Sequence, residues 1–240
     1  MTNRDDGSMT DVPEAVLLPE PAHISDDPGR PDDIMLGAPG AILVIISGPS
    51  GVGKDTIIDE LRRREEASGR VGERHYVVTM TTRAPRDGEI DGVDYHFVSR
   101  QEFLRIRAER GFLEANELYG NWYGSPRAQV RDALAAGKDV ILKIDVQGAQ
   151  VVKEQVSEAL LVFIVPPSLE TLISRLRARA TETADELDVR QRAAAIELAR
   201  QGDYDHVVVN ETGKVEQTAD RIESIIAAER SAHVGRRVRI

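Results

Sequence analysis

The sequence predicts an α/β fold in which helices flank a parallel sheet. Three observations carry that reading. Apolar runs rich in β-branched residues recur at Ala41 to Ser47, Asp139 to Ile144, Leu160 to Val165 and His206 to Asn210, as strands buried on both faces require. Stretches with one apolar face separate them, and strands that alternate with helices join naturally in parallel. The first run also leads through a glycine-rich turn straight into a helix-like stretch.

A chain of 240 residues holds one large domain or two small ones and buries a sizeable core without staples. The net charge of −10 argues against a general nucleic-acid binder. With no cysteine there is neither a disulfide framework nor a thiolate metal site. No apolar run approaches membrane-spanning length, and the N-terminus lacks the basic start and apolar stretch of a secretory signal. The expectation is a cytoplasmic protein, monomeric or homo-oligomeric, with no nucleic-acid or membrane partner.

Residues 1–40 are rich in Asp, Pro and Gly. They bury too little apolar surface to offset ordering and are expected to be a disordered extension, with Leu17 and Leu18 available for local docking. Met35 offers an alternative translation start, which an N-terminal mass measurement distinguishes. Beyond the first strand and turn, Thr56 to about Ser68 is predicted helical, with Ile57, Ile58 and Leu61 on one face. Tyr76 to Met80 is predicted to be a short strand. Thr81 to Phe97 is irregular and dense in Arg, acid and Gly. Ser99 and Glu102 form a capping box that opens a helix to about Gly111. Phe112 to Ser125 reads as two strands about the turn Tyr119-Gly120-Asn121, and Arg127 to Ala136 as a helix ended by Gly137. After the strand Asp139 to Ile144, which ends at Asp145, regular structure is next expected at the strand from Leu160, which Pro166 and Pro167 close. Ser168 opens a helix through about Arg179. An acidic span, Ala180 to Asp188, precedes a helix from about Val189 to Arg200, and Lys214 to Arg230 is the last helix. The basic end, Arg236-Arg237-Val238-Arg239, is expected to fray into solvent.

The turn Gly48-Pro49-Ser50-Gly51-Val52-Gly53-Lys54, followed by Asp55 and Thr56, has the strand–loop–helix context of a phosphate-binding P-loop. Glycines let the backbone approach a phosphate and turn successive N–H groups inward as an anion nest, with the helix N-terminus adding partial positive charge. Lys54 brings a full charge to the β/γ-phosphates. Asp55 departs from the pattern, because Ser or Thr normally offers Mg²⁺ a hydroxyl there. The plain alternative, a turn with no ligand, leaves Lys54 in its apolar context unexplained.

Further along, Thr81-Thr82-Arg83-Ala84-Pro85-Arg86, Gly88-Glu89, Asp91-Gly92 and Asp94-Tyr95-His96-Phe97 resemble the guanylate kinase signature. So do Gly120-Asn121-Trp122-Tyr123-Gly124-Ser125 and Ile144-Asp145-Val146-Gln147-Gly148. The resemblance keeps its order from about Ala41 to Ala228. It implies a P-loop NTPase core (41–80, 126–177 and 200–228), a small GMP-binding domain (81–125) and a lid (178–199), with 229–240 as a basic tail. It implies ATP as phosphoryl donor, GMP as acceptor and Mg²⁺ as cofactor. By the same resemblance Arg83, Arg86, Tyr95 and Tyr123 hold the GMP phosphate, and guanidinium forks and phenol hydroxyls suit a dianion. Glu114 accepts from the guanine N1–H and 2-amino group, with Thr79 and Ser125 as further base contacts. Asp145 lies at the metal and GMP site, Arg175, Arg179 and Arg190 reach the transferring phosphates, and Asn210 touches adenine. Ordinary strand packing for the tyrosines, and a solvated turn for Arg83 and Arg86, are the plain alternatives. Arg177 and Arg192 read as surface charges, and His75, His96 and His206 as structural. Trp122 lies beside Tyr123, and closure around GMP is expected to change its surroundings.

Two rival readings remain at this level. The Lys54-Asp55-Thr56 ending resembles that of ribose 1,5-bisphosphate kinases, which lack the guanine set of Glu114, Tyr123 and Ser125. A non-catalytic guanylate-kinase-like interaction module would have a degraded P-loop, whereas Lys54 and its glycines are intact. Asp55 and Lys143 both depart from the more usual family residues, a hydroxyl and an acid. Lys143 and Asp145 share one strand face, so Lys143 is expected to face Asp55 as a charge-swapped pair. In this arrangement Asp55 also reaches Mg²⁺. The alternative is that Asp55 only caps its helix.

Overall fold

A computed structural model describes residues 37–118, 120–178 and 184–240, without the side chains of residues 178 and 184–190. The expectations for Leu17, Leu18 and Met35 lie outside these residues, as does that for Arg179. The central strand β1, Leu43–Ser47, is buried along its whole length. It pairs in parallel with β7 (Asp139–Lys143) and β8 (Leu160–Val165). β2 (Arg74–Tyr76) and β9 (His206–Val209) form the edges, giving the order β2-β7-β1-β8-β9.

Alternation along β1 sends its side chains to two cores. Val44 and Ile46 pack with Ile57, Ile58 and Leu61 of α1 (Lys54–Ala67) and with Ile222 and Ile226 of α7 (Val215–Ala232). Leu43 and Ile45 pack with Leu134 of α3 (Arg127–Ala135) and Val152 of α4 (Val146–Gln155). A second, mixed sheet has the order β4-β3-β6-β5, from β3 (Met80–Thr81), β4 (His96–Phe97), β5 (Phe112–Leu118) and β6 (Asn121–Pro126). Phe103 of α2 (Arg100–Ala108), Phe112 and Trp122 form its own small core. The Ser99 side chain accepts from Glu102 N at 3.1 Å, one half of the expected capping box, while the Glu102 carboxylate accepts from Arg105 instead.

Five sequence expectations change. The run Tyr76 to Met80 is divided between two sheets, because the chain leaves β2 and joins β3 across Val77 to Thr79. Helix α4 occupies a stretch with no predicted element; Asp145 caps it, accepting from Gln147 N at 2.8 Å and Gly148 N at 2.9 Å. After α5 (Leu169–Ala178), helix α6 spans Ala184–Ala199 and so begins inside the acidic span. The C-terminal segment does not fray. Val238 is 1% exposed within the second core, its carbonyl accepts from Gly37 N at 2.8 Å, and that of Arg236 accepts from Gly40 N at 3.0 Å. Residues 37–40 are therefore docked rather than part of a disordered extension. Among the described residues no helix is long and apolar enough to cross a membrane.

Candidate active site

The loop after β1 is shaped by two glycines no other residue fits. Gly48 has φ 140, and a Cβ there would run into the Ile164 carbonyl oxygen. Gly53 has φ 99, and its Cβ would meet Asn210 Nδ2 at 2.5 Å. Lys54 opens α1 and folds back on the loop, Nζ donating to Gly48 O at 2.5 Å and Pro49 O at 3.1 Å. Burial pushes its pKa down, while Glu197, Asp55 and Asp145 push it up. An anion in the loop would replace those carbonyls as its partner.

A cavity joins this loop to the small sheet. Gly48 and the residues Ser50 to Asp55 line it, together with Thr79, Arg83, Arg86, Tyr95, Glu114 and Tyr123. Leu118, Lys143, Ile144, Asp145 and Glu197 complete the lining. Arg83 is held by Glu89 at 2.8 Å and by Ala84 O at 2.6 Å, with its guanidinium 5.4 Å from the Tyr95 ring centroid. Glu89 also accepts from Arg86 N at 2.7 Å, which fixes the turn carrying both arginines. Tyr95 and Tyr123 meet edge to face at 6.1 Å.

Glu114, on β5, is 2% exposed. It accepts from Ser125 Oγ at 2.5 Å and Asn116 Nδ2 at 3.2 Å. Burial, and then the nearby Asp145, push its carboxyl up to about 8. A Cβ at position 148 would lie 3.0 Å from Glu114 Oε2, so glycine there lets α4 close over the acid. Thr79 Oγ1 is buried without a hydrogen-bond partner, a polar atom left for something else to satisfy. Burial also raises the Asp145 pKa, against the Gly148 N–H and Lys54.

The ammonium of Lys143 donates to Asp55, so the charge-swapped pair is present. Burial lowers the Lys143 pKa, but Tyr95 and Asp55 outweigh it and the net direction is upward.

Other expected site residues are placed differently. Arg175 donates to Val52 O at 3.1 Å, Asn210 O at 3.0 Å and Thr212 Oγ1 at 3.0 Å, so here its fork braces the loop and does not line the cavity. Asn210 is likewise a brace, its amide donating to Val52 O at 2.8 Å and accepting from Thr218 at 3.1 Å. Thr56 is exposed on α1, and Ser125 acts through Glu114. Arg190 lies on α6, but its side chain is outside the description. Trp122 faces away from Tyr123 along β6, packed on Phe103 with Arg107 4.4 Å above its ring.

Sequence reasoning missed Glu197. It stands on α6 and lines the cavity beside the loop, and burial pushes its carboxyl up to about 7 against the pull of Lys54 and the Ser50 N–H. A glutamate among alanines on a helix carries no local signal that it reaches a loop far away in the chain.

The guanylate kinase family profile matches residues 41–229. Guanylate kinase from Lactobacillus delbrueckii subsp. bulgaricus is 44% identical over 188 residues, 78% of this chain and 89% of that one. The Thermobifida fusca guanylate kinase is 45% identical over 186 residues, 78% and 91% of the two chains. A chloroplastic/mitochondrial guanylate kinase 2 of Oryza sativa subsp. japonica is 43% identical over 194 residues, which span 80% of this chain but 66% of that protein. The crystal structure of guanylate kinase from Anaplasma phagocytophilum superposes with a TM-score of 0.64 at 36% identity, covering 82% of this chain and 89% of that one. A match over most of the chain, with a cavity joining a glycine-rich loop to a buried glutamate and paired arginines, means that this chain belongs to the guanylate kinase family.

Proposed function

We propose that this enzyme transfers the γ-phosphate of ATP to GMP, giving ADP and GDP, in the cytoplasm. The observation that carries the reading is Glu114, a buried carboxyl lining the same cavity as the glycine loop. Guanine offers N1–H and a 2-amino group side by side, and one carboxylate accepts from both. Thr79, with its unpartnered hydroxyl, and Ser125 complete the base site. Arg83, Arg86, Tyr95 and Tyr123 hold the acceptor phosphate. The donor phosphates accept from the backbone N–H groups of Gly48 and of Ser50 to Thr56, Pro49 having none, with Lys54 leaving its carbonyls for them. An acceptor phosphate oxygen then attacks the γ-phosphorus, and the bond to the β–γ bridging oxygen breaks toward ADP.

Transfer of this kind is mostly positioning and charge neutralisation. The segment 178–199 acts as the lid, 81–125 as the GMP-binding part and the rest as the core. Arg175, Arg179 and Arg190 approach the phosphates on closure, Arg175 by exchanging its carbonyl partners for them. Mg²⁺ accompanies ATP. Asp145, with one oxygen on the α4 cap, and Asp55 are the carboxylates that would hold it, and a few protein oxygens plus substrate phosphates suit this ion. When bound it neutralises phosphate charge.

The test is a coupled assay that offers GMP, dGMP, AMP and ribose 1,5-bisphosphate as acceptors. GMP is expected to be used far better than AMP or the sugar bisphosphate. Preference for the sugar bisphosphate would replace this reading.

A further inference from the structure

Lys143 has no part in the reading above, yet it stands where its two halves meet. Its ammonium donates to Asp55 in the first turn of α1 and lies 5.0 Å from the centroid of the Tyr95 ring. All three residues line the cavity. The lysine side chain is 17% exposed and the aspartate 56%. An ammonium so enclosed has given up hydration and rotamer freedom, and pairing with a half-exposed carboxylate returns little stability. Arg83 flanks the same tyrosine, and Lys54 feels Lys143 as a like charge. Arg83 is already held by Glu89, and Lys54 faces Glu197 and Asp145, whereas Lys143 has given Asp55 one N–H. The acceptor phosphate that Arg83 and Tyr95 hold in the reading above lies beside this ammonium.

We infer that Lys143 is a substrate-contacting residue whose ammonium, positioned by Asp55, binds the phosphate of the acceptor nucleotide beside the glycine loop. The inference rests on the GMP kinase reading. An ammonium has three N–H donors; Asp55 takes one and leaves two for the phosphate. Asp55 is then a positioning residue, aiming the lysine across the cavity rather than into solvent.

Calorimetric titration of GMP and of guanosine, without ATP, tests this on the full chain. Relative to the parent, K143M should bind GMP about tenfold or more weakly, the usual scale for a hydrogen bond to a charged group. Guanosine, which lacks the phosphate, should bind both alike. K143R should keep part of the GMP affinity and K143Q should not, a comparison that stands even if K143M fails to fold. The double variant D55N/K143M separates the roles. If Lys143 only neutralises Asp55, the double variant regains parental GMP affinity and the inference is overturned. If the ammonium touches phosphate, the double variant stays as weak as K143M. Equal losses for GMP and guanosine would also overturn it. A parent active on GMP, with K143M of unchanged GMP affinity, refutes this inference alone; a parent inactive on GMP refutes the kinase reading and this with it.

Discussion

At Glu114, burial and the neighbouring Asp145 hold the carboxyl near 8, so around neutral pH the free enzyme keeps it largely protonated. The folded value is raised above the ordinary 4.5. The stability contribution is therefore full below about 4.5 and is lost as pH climbs through about 8. Glu114→Gln should flatten that fall, measured as melting temperature against pH. Guanine N–H groups favour the carboxylate, so GMP binding at neutral pH should release a proton. Affinity should rise with pH, by at most about tenfold per unit, until about pH 8. Titrations in buffers of different ionisation heat read this release directly. Glu114→Ala should cost about 1–3 kcal/mol per unpaired donor, seen mainly in KM for GMP. Unchanged GMP kinetics would remove Glu114 from the base site.

Strand β6 shows what one alternation does. Tyr123 turns to the cavity and Trp122 to the aromatic cluster of the small sheet. The indole sits against Phe103 and Arg107, so GMP should change Trp122 emission only slightly. The sequence expectation is that closure around GMP changes the surroundings of Trp122, and a fluorescence titration measures how far it does. In the turn after β1, Gly48→Ala would push a methyl into the Ile164 carbonyl at a left-handed φ. It should cost about 1–3 kcal/mol of stability as well as ATP-analogue binding. At the C-terminal segment, Val238→Ala should lower stability by about 1–3 kcal/mol, read by denaturant unfolding. A frayed tail would show no change.

Across the whole molecule, one cavity takes residues from both sheets and from α6, so ligands that fill it bind the folded state alone. GMP together with a non-hydrolysable ATP analogue, each at about a hundred times its Kd, should stabilise by about 2.7 kcal/mol apiece. For a chain of this size that is about 5–10 °C of melting temperature per ligand. The Glu197 carboxylate in the loop must give way to phosphate. Glu197→Gln should therefore tighten ATP-analogue binding above pH 7, where the native acid is mostly charged.

Much of this was legible along the chain. The glycine loop, the buried strands and the Arg83-to-Phe97 segment are contiguous, and their chemistry follows from short-range spacing and backbone sterics. The Asp55–Lys143 pair was also legible, from two opposite departures from the family pattern, although the strand stops at Lys143 and Asp145 caps α4 beyond it. Contacts between distant segments were decided elsewhere. Nothing near Val238 says that it docks against Gly37, nothing near Glu197 that it reaches Ser50, and nothing near Asn210 that its amide is spent on Val52. These side chains took their places only when packing set the segments against each other, because burial and hydrogen-bond satisfaction are properties of the assembled surface and not of the local pattern.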